Sequence, residues 1–236
     1  PNRNDGVLNI PSSVDVPFCI TSLLIIDPEA GQNDSPILLA PAIENACIGQ
    51  RWEHNPGAFD PDGDSLSYDL VACAGFECLP IEGFVQPNEV EGAGGEFYVE
   101  PLTGTVVWDA PALSGEYNMA LRIREWRWVG GQWLMVGEVI RDMQINVETC
   151  PNEPPVVVVP PDTCILQGET LTFTVTASDP NGDNVTVTAI GGPFEDFEPD
   201  AGFGWNPLTD VGTFSWTPGC DAVRQAPYQV VFKATD

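Results

Sequence analysis

Positive charge is scarce in this chain: its 236 residues include eight Lys or Arg against 35 Asp or Glu, a formal net charge of −27. Such a balance repels phosphate backbones and anionic lipid and favours cations, so nucleic acid is excluded as a partner. His54 is the one histidine, and no Ser sits in a Gly-x-Ser-x-Gly elbow. A hydrolytic triad is therefore hard to assemble, and carboxylates without a defined spacing are no evidence of a glycosidase pair, so the chain is expected not to be an enzyme. No apolar run approaches the roughly 18 residues of a membrane span, and no membrane insertion is expected. The opening "PNRNDGVLNI" lacks the basic and apolar segments of a signal peptide, so any targeting signal is expected to lie outside the sequence. Seven cysteines contain no Cys-x-x-Cys pair, which argues against a zinc framework and for an oxidising compartment. Nor does any stretch of helical length carry a 3.6-residue apolar period.

Turn formers and alternating strands are abundant instead. With 43% hydrophobic and 18% charged residues the chain is too apolar for a disordered acidic tail, and 23 Gly with 23 Pro indicate many turns. Leu171, Phe173, Val175 and Ala177 alternate with threonines; Tyr228, Val230, Phe232 and Ala234 keep the same period of two, as do Tyr117, Met119, Leu121 and Ile123. That period predicts half-buried strands, and several short strands per hundred-odd residues predict an all-β fold of tandem antiparallel, Ig-like β-sandwiches. Trp108 and Trp216 are expected in the two cores.

The chain also repeats. "NDSPILLAPAIENACIGQ" at Asn33 and "NEPPVVVVPPDTCILQG" at Asn152 share an Asn, a Pro, an apolar run and Cys-Ile, and "FDPDGDSLSY" at Phe59 returns as "SDPNGDNVTV" at Ser178. The offset is 119 residues in both cases, from 33 to 152 and from 59 to 178. "GTVVWDAP" at Gly104 returns as "GTFSWTPG" at Gly212, and "GEYNMALRI" at Gly115 as "APYQVVFKA" at Ala226, so four landmarks keep their order. Residues 33–150 are expected to form one unit and residues 151–236 a second that lacks its final strand. Residues 1–32, ending in "CITSLLIID", are expected to supply the closing strand of an upstream repeat.

Within each unit one turn concentrates acid. Asp60, Asp62 and Asp64 occupy alternate positions, with Pro61 fixing one torsion and Gly63 permitting a sharp bend; the second unit has Asp179, Asn181 and Asp183. Asp, Asn, Pro and Gly are also ordinary turn formers. Oxygen-bearing residues at all three positions in both copies favour a hard cation, and calcium takes six to eight such ligands. Among the cysteines, Cys73 and Cys78 are close enough to clip a loop, and Cys164 with Cys220 would close one worth about 4 kcal/mol. Cys19 with Cys47 is the remaining expectation, leaving Cys150 over.

"AFDPDGDSLSY" resembles the cadherin pattern of Ala-x-Asp-x-Asp followed by Tyr, "VEPLTGTVVW" its Asp-Pro-x-Thr-Gly-x-Ile segment, and "PAIENACIGQ" the Glu-Asn before the second strand; the acidic linker is shortened and "ALSGEY" stands in place of Leu-Asp-Arg-Glu. "NIPSSVDVPFCITSLLIIDP", "HNPGAFDPDGDSLSYDL" and "PYQVVFKATD" resemble repeats of giant surface proteins that Bacteroidota-type bacteria export by the type IX system for adhesion and gliding. The resemblance implies a secreted, cell-surface filament whose repeats partner one another, in cis or in a homo-oligomer, with calcium at their junctions. It implies one ion held by Glu44, Asn152, Glu153, Asp179 and Asp183, and an upstream one held by Asn33, Asp34, Asp60, Asp62 and Asp64.

One hairpin, "RIREWRWVGGQWLMVG", brings Trp126, Trp128 and Trp133 together with Arg124 and Arg127. Exposed, these side chains suit stacking on sugars and pairing with carboxylated surface glycans or an acidic chain; otherwise they are cross-strand packing pairs. A carbohydrate-binding accessory region of a secreted hydrolase is therefore the alternative to a filament segment.

Overall fold

Alternating apolar side chains along two long strands organise the first unit. In this computed structural model, which describes residues 2–195, 197 and 199–236, the strands of that unit run in chain order. They are β1 (Ser22–Leu24), β2 (Ile37–Leu38), β3 (Ile43–Cys47), β4 (Trp52–His54), β5 (Ala58–Phe59), β6 (Ser65–Val71), β7 (Glu96–Val99), β8 (Val106–Asp109), β9 (Gly115–Val129) and β10 (Gln132–Glu148). One sheet has the order β1-β10-β9-β6, with β3 also on β10, and faces a second sheet β4-β8-β7; β2 and β5 make a short pair. Tyr117, Met119, Leu121 and Ile123 of β9 are fully buried against Trp108 of β8. Trp108 meets Tyr117 edge-on at 4.9 Å and donates its indole N–H to the Gly94 carbonyl at 2.9 Å, so the large ring is buried without an orphan donor.

The second unit contains β11 (Val156–Val158), β12 (Leu171–Ser178), β13 (Thr186–Ile190), β14 (Gly202–Asn206), β15 (Val211–Trp216) and β16 (Val231–Thr235), in sheets β11-β12-β15-β14 and β13-β16. Its core gathers Phe214 and Trp216 with Phe173, Phe203 and Tyr228. The repeat extends to strand register. Ile37 pairs with Phe59, and Val156 with Ser178, each 119 residues further on; Trp52 faces Trp108, as Leu171 faces Trp216. The fold is thus nearly all β and built from several antiparallel sheets, as expected, with one parallel pair between β3 and β10.

Residues 2–32 depart from expectation. They belong to the first unit: β1 pairs with the edge of β10, Val7 and Ile10 pack with Cys73 and Ala120, and Arg3 forms a buried bidentate pair with Asp142. An apolar strand such as this one caps whichever sheet edge is free, and here β10 offers one along Gly137–Val139.

The disulfides also differ. Cys19 bonds Cys78 and Cys47 bonds Cys150, with Cα atoms 5.3 and 5.5 Å apart, while Cys73, Cys164 and Cys220 are free thiols. The expected pairs Cys73–Cys78, Cys164–Cys220 and Cys19–Cys47 are corrected by contacts invisible in chain order. The parallel pairing sets Cys47 beside Glu148, two residues before Cys150. Ala74 bridges Cys19, so its neighbour Cys73 turns into the core.

The units also touch. Lys233 pairs with Glu44 at 2.6 Å, Gln229 donates to the Thr103 carbonyl at 2.9 Å, and Gln50 donates to the Asn152 carbonyl at 2.7 Å. Arg224 lies against Gly63 in the first acidic turn.

Candidate metal centres

Each acidic turn is closed by its own first aspartate. The Gly63 and Gly182 amides bond the carbonyls of Asp60 and Asp179 at 3.1 and 3.2 Å, both glycines with positive φ, and the amides of Asp64 and Asp183 each donate to Oδ1 of that aspartate at 3.0 Å. The linker then docks on the middle residue. Asp34 N–H donates to Asp62 Oδ2 at 2.6 Å, and Glu153 N–H to Asn181 Oδ1 at 2.8 Å. A third element completes each site. The Asn33 amide donates to Glu125 at the end of β9's buried run, and the Asn152 amide donates to Asp236 just past β16. Carboxylate oxygens of Asp60, Asp64 and Glu125 lie within 4.8 Å of one another, as do those of Asp179, Asp183 and Asp236, so either group can hold a metal ion.

Strand alternation aims Glu125 inward, on the face of Leu121 and Ile123, and a β-bulge in β10 makes room for it. Register in the hairpin skips Val136, so that Gly137 faces Glu125, whose carboxylate lies where a Cβ at position 137 would stand, 2.5 Å away. Only glycine allows that approach. Glu125 is 0% exposed and Asp60 3% exposed, and among the described residues Oε1 of Glu125 and Oδ2 of Asp60 have no hydrogen-bond partner; Oδ2 of Asp179 has none either. Burial pushes the Asp60 carboxyl up to about 6, and burial with the nearby charges of Asp60, Asp64 and Asp62 pushes Glu125 up to about 7. Buried carboxylates with open lone pairs are costly unless a proton or cation joins them. An all-oxygen donor set suits a hard cation such as calcium or magnesium better than a thiolate-seeking metal.

The residues expected at these sites divide. Asp60, Asp64, Asp179 and Asp183 come together, and Asn33 and Asn152 reach them through their amides. Asp62 and Asn181 receive the linker, while Asp34 and Glu153 take part through backbone N–H groups. Glu44 does not join an acidic group. It bonds His54 Nδ1 at 3.2 Å and Lys233, contacts that outweigh its burial and hold its carboxyl below the usual range. Glu125 and Asp236 were missed. Aligning "LRIRE" within β9 with "FKATD" at the end of β16 reveals them, since both segments end in an acid.

The aromatic hairpin is partly committed elsewhere. Trp126 donates its indole N–H to Ser67 at 2.7 Å, and Arg124 pairs with Asp69 at 3.2 Å and Glu138 at 3.0 Å. Arg127 is spent on the acidic turn. Trp128 and Trp133 remain half exposed and meet edge-on at 5.2 Å beside a cleft of about 240 Å³ lined also by Asp62, Ser65 and Gln225.

No protein-family model matches the chain, and no curated protein sequence matches it.

Proposed function

We propose that this chain is a non-catalytic segment of a secreted bacterial surface filament or adhesin, whose repeated β-sandwiches are fastened at their linkers by calcium. The supporting observation is the same oxygen set assembled twice, from linker, turn and strand end, with unpartnered buried carboxylate oxygens at its centre. An ion there draws together turn and strand carboxylates that otherwise repel one another, beneath the linker residues bonded to them, so it stiffens the place where the linker enters each unit. At an extracellular-module affinity, free calcium about tenfold above the dissociation constant stabilises each site by roughly 1.4 kcal/mol. Two disulfides suit an oxidising extracellular setting, and among the described residues no helix is long and apolar enough to cross a membrane. The likeness to type IX-exported adhesion and gliding proteins supports the same reading. Calorimetric titration with calcium tests it, with Asp179→Ala as control. Saturable binding that raises the melting temperature is expected; absence of heat together with unchanged melting and scattering dimensions after chelation overturns it.

The half-exposed Trp128–Trp133 pair favours a second reading, carbohydrate binding as an accessory to a secreted hydrolase. A glycan array decides this: selective binding abolished by Trp128→Ala supports the accessory region, and no binding supports the filament.

A further inference from the structure

Arg127 behaves as a cation resident in the first acidic turn. Its Nε donates to Asp64 Oδ1 at 2.8 Å, and its Nη2 donates to Asp64 Oδ2 at 2.6 Å and Asn33 Oδ1 at 3.0 Å, with Asp62 Oδ2 at 3.1 Å. Its Nη1 donates to the backbone carbonyls of Ala30 at 2.8 Å and Gln32 at 2.5 Å. These six oxygens, from carboxylates, an amide and the backbone, are the kind and number that a calcium ion collects. A guanidinium gathers them here through a rigid fork of donors.

The two turns differ by one charge at the place Arg127 serves. Asp62 in the first turn corresponds to Asn181 in the second, and the extra carboxylate is matched by the arginine that touches it. Among the described residues no Lys or Arg forms an ion pair with Asp179, Asp183 or Asp236; Lys233, on β16 just before Asp236, is engaged with Glu44. Arg127 engages both oxygens of Asp64 but leaves Asp60 Oδ2 and Glu125 Oε1 without a partner in the buried part of the site. The first site therefore has an outer half already filled by the protein's own cation and an inner half open to an ion.

We infer that Arg127 substitutes for a metal ion in the outer half of the first site, fastening residues 30–34 to the turn without metal, whereas the second turn depends on divalent metal to fasten its linker. The second clause rests on the calcium reading above; the first does not.

Two equivalent amides report on the two linkers directly: Asp34 N–H on Asp62 and Glu153 N–H on Asn181. Hydrogen exchange at both, with calcium and with chelator, tests the inference. In the unaltered protein chelation is expected to speed exchange at Glu153 about tenfold or more and to change Asp34 less than about twofold. Arg127→Gln is expected to speed Asp34 about tenfold in chelator, with calcium restoring part of the protection. The Met119 amide in the core monitors folding, and if Arg127→Gln unfolds the unit, Arg127→Lys, which keeps the charge but loses the fork, takes its place under the same criterion. The inference is overturned if Asp34 responds to chelation as strongly as Glu153, or if loss of the fork leaves Asp34 protected. Calorimetry showing no calcium bound anywhere sinks the proposed function, while the exchange at Asp34 in chelator still decides the role of Arg127.

Discussion

The two units share strand registers and the hydrogen bonds of their acidic turns, yet they are secured differently. The first is strapped by residues 2–26, pinned by the buried Arg3–Asp142 pair, closed by two disulfides, and packed around Trp108 and Tyr117, both 0% exposed. Among the described residues the second unit has no disulfide and no ion pair of its own; its core aromatics Phe173, Phe203 and Tyr228 are only partly buried. Two related sandwiches are thus built with very different amounts of cross-bracing. The acidic site follows suit: buried in the first unit, with Arg127 in its outer half, and more exposed in the second.

That contrast is sharpest at Arg3. Arg3→Ala strands Asp142 inside the protein, and breaking such a buried pair costs about 3–5 kcal/mol. Chemical denaturation followed by hydrogen exchange in each unit is expected to show this loss in the first unit only; equal losses in both would dissolve the comparison. Next in size, replacing Cys47 and Cys150 by Ser is expected to destabilise the first unit by about 2–5 kcal/mol, whereas Cys164→Ser or Cys220→Ser stays within about 0.5 kcal/mol. Thiol counting on the oxidised protein checks the same point, with reactive groups expected at Cys164 and Cys220, both exposed.

A smaller effect is expected from pH. Asp60 and Glu125 ordinarily titrate at 3.8 and 4.5 and are raised by burial to about 6 and about 7, so the folded first unit binds protons more tightly than its unfolded chain. Their contribution is complete below those ordinary values and is lost as pH rises through 6 and 7. The melting temperature of the metal-free protein is therefore expected to fall over that range, and Glu125→Gln, which keeps a neutral side chain, is expected to flatten the slope. A rise in stability over the same range would contradict the buried, proton-seeking site. The smallest effect concerns the contact between units. Lys233→Ala removes an exposed pair worth no more than about 1 kcal/mol, measurable as faster exchange along β16 with no change at β9.

Much of this was legible in the chain. A side-chain period of two, two copies at a fixed offset and oxygen-bearing residues at alternate turn positions gave the strands, the repeat and most of each acidic site. What stayed hidden depends on which strands become neighbours. Glu125 continues the inward phase of Leu121 and Ile123, but the bulge at Val136 that sets Gly137 opposite it and leaves room for a buried carboxylate does not show in chain order. Cys47 and Cys150 meet only because β3 runs parallel to β10, and "CITSLLIID" fits any free sheet edge, its own unit's included. Arg124 and Arg127 looked available to a ligand because sequence does not show that Asp69, Glu138 and Asp64 already hold them.

The covalent bond between Cys47 and Cys150 has a further consequence when the chain is pulled. Tension entering at Asn33 and leaving at Asn152 travels fourteen residues to Cys47, crosses the sulfur bridge and exits two residues later. Residues 48–149, from β4 to β10, are closed off by this shunt and cannot be drawn out until the bridge is reduced, whereas residues 33–47 stay in the load path and, among the described residues, the second unit has no such bond to limit its extension.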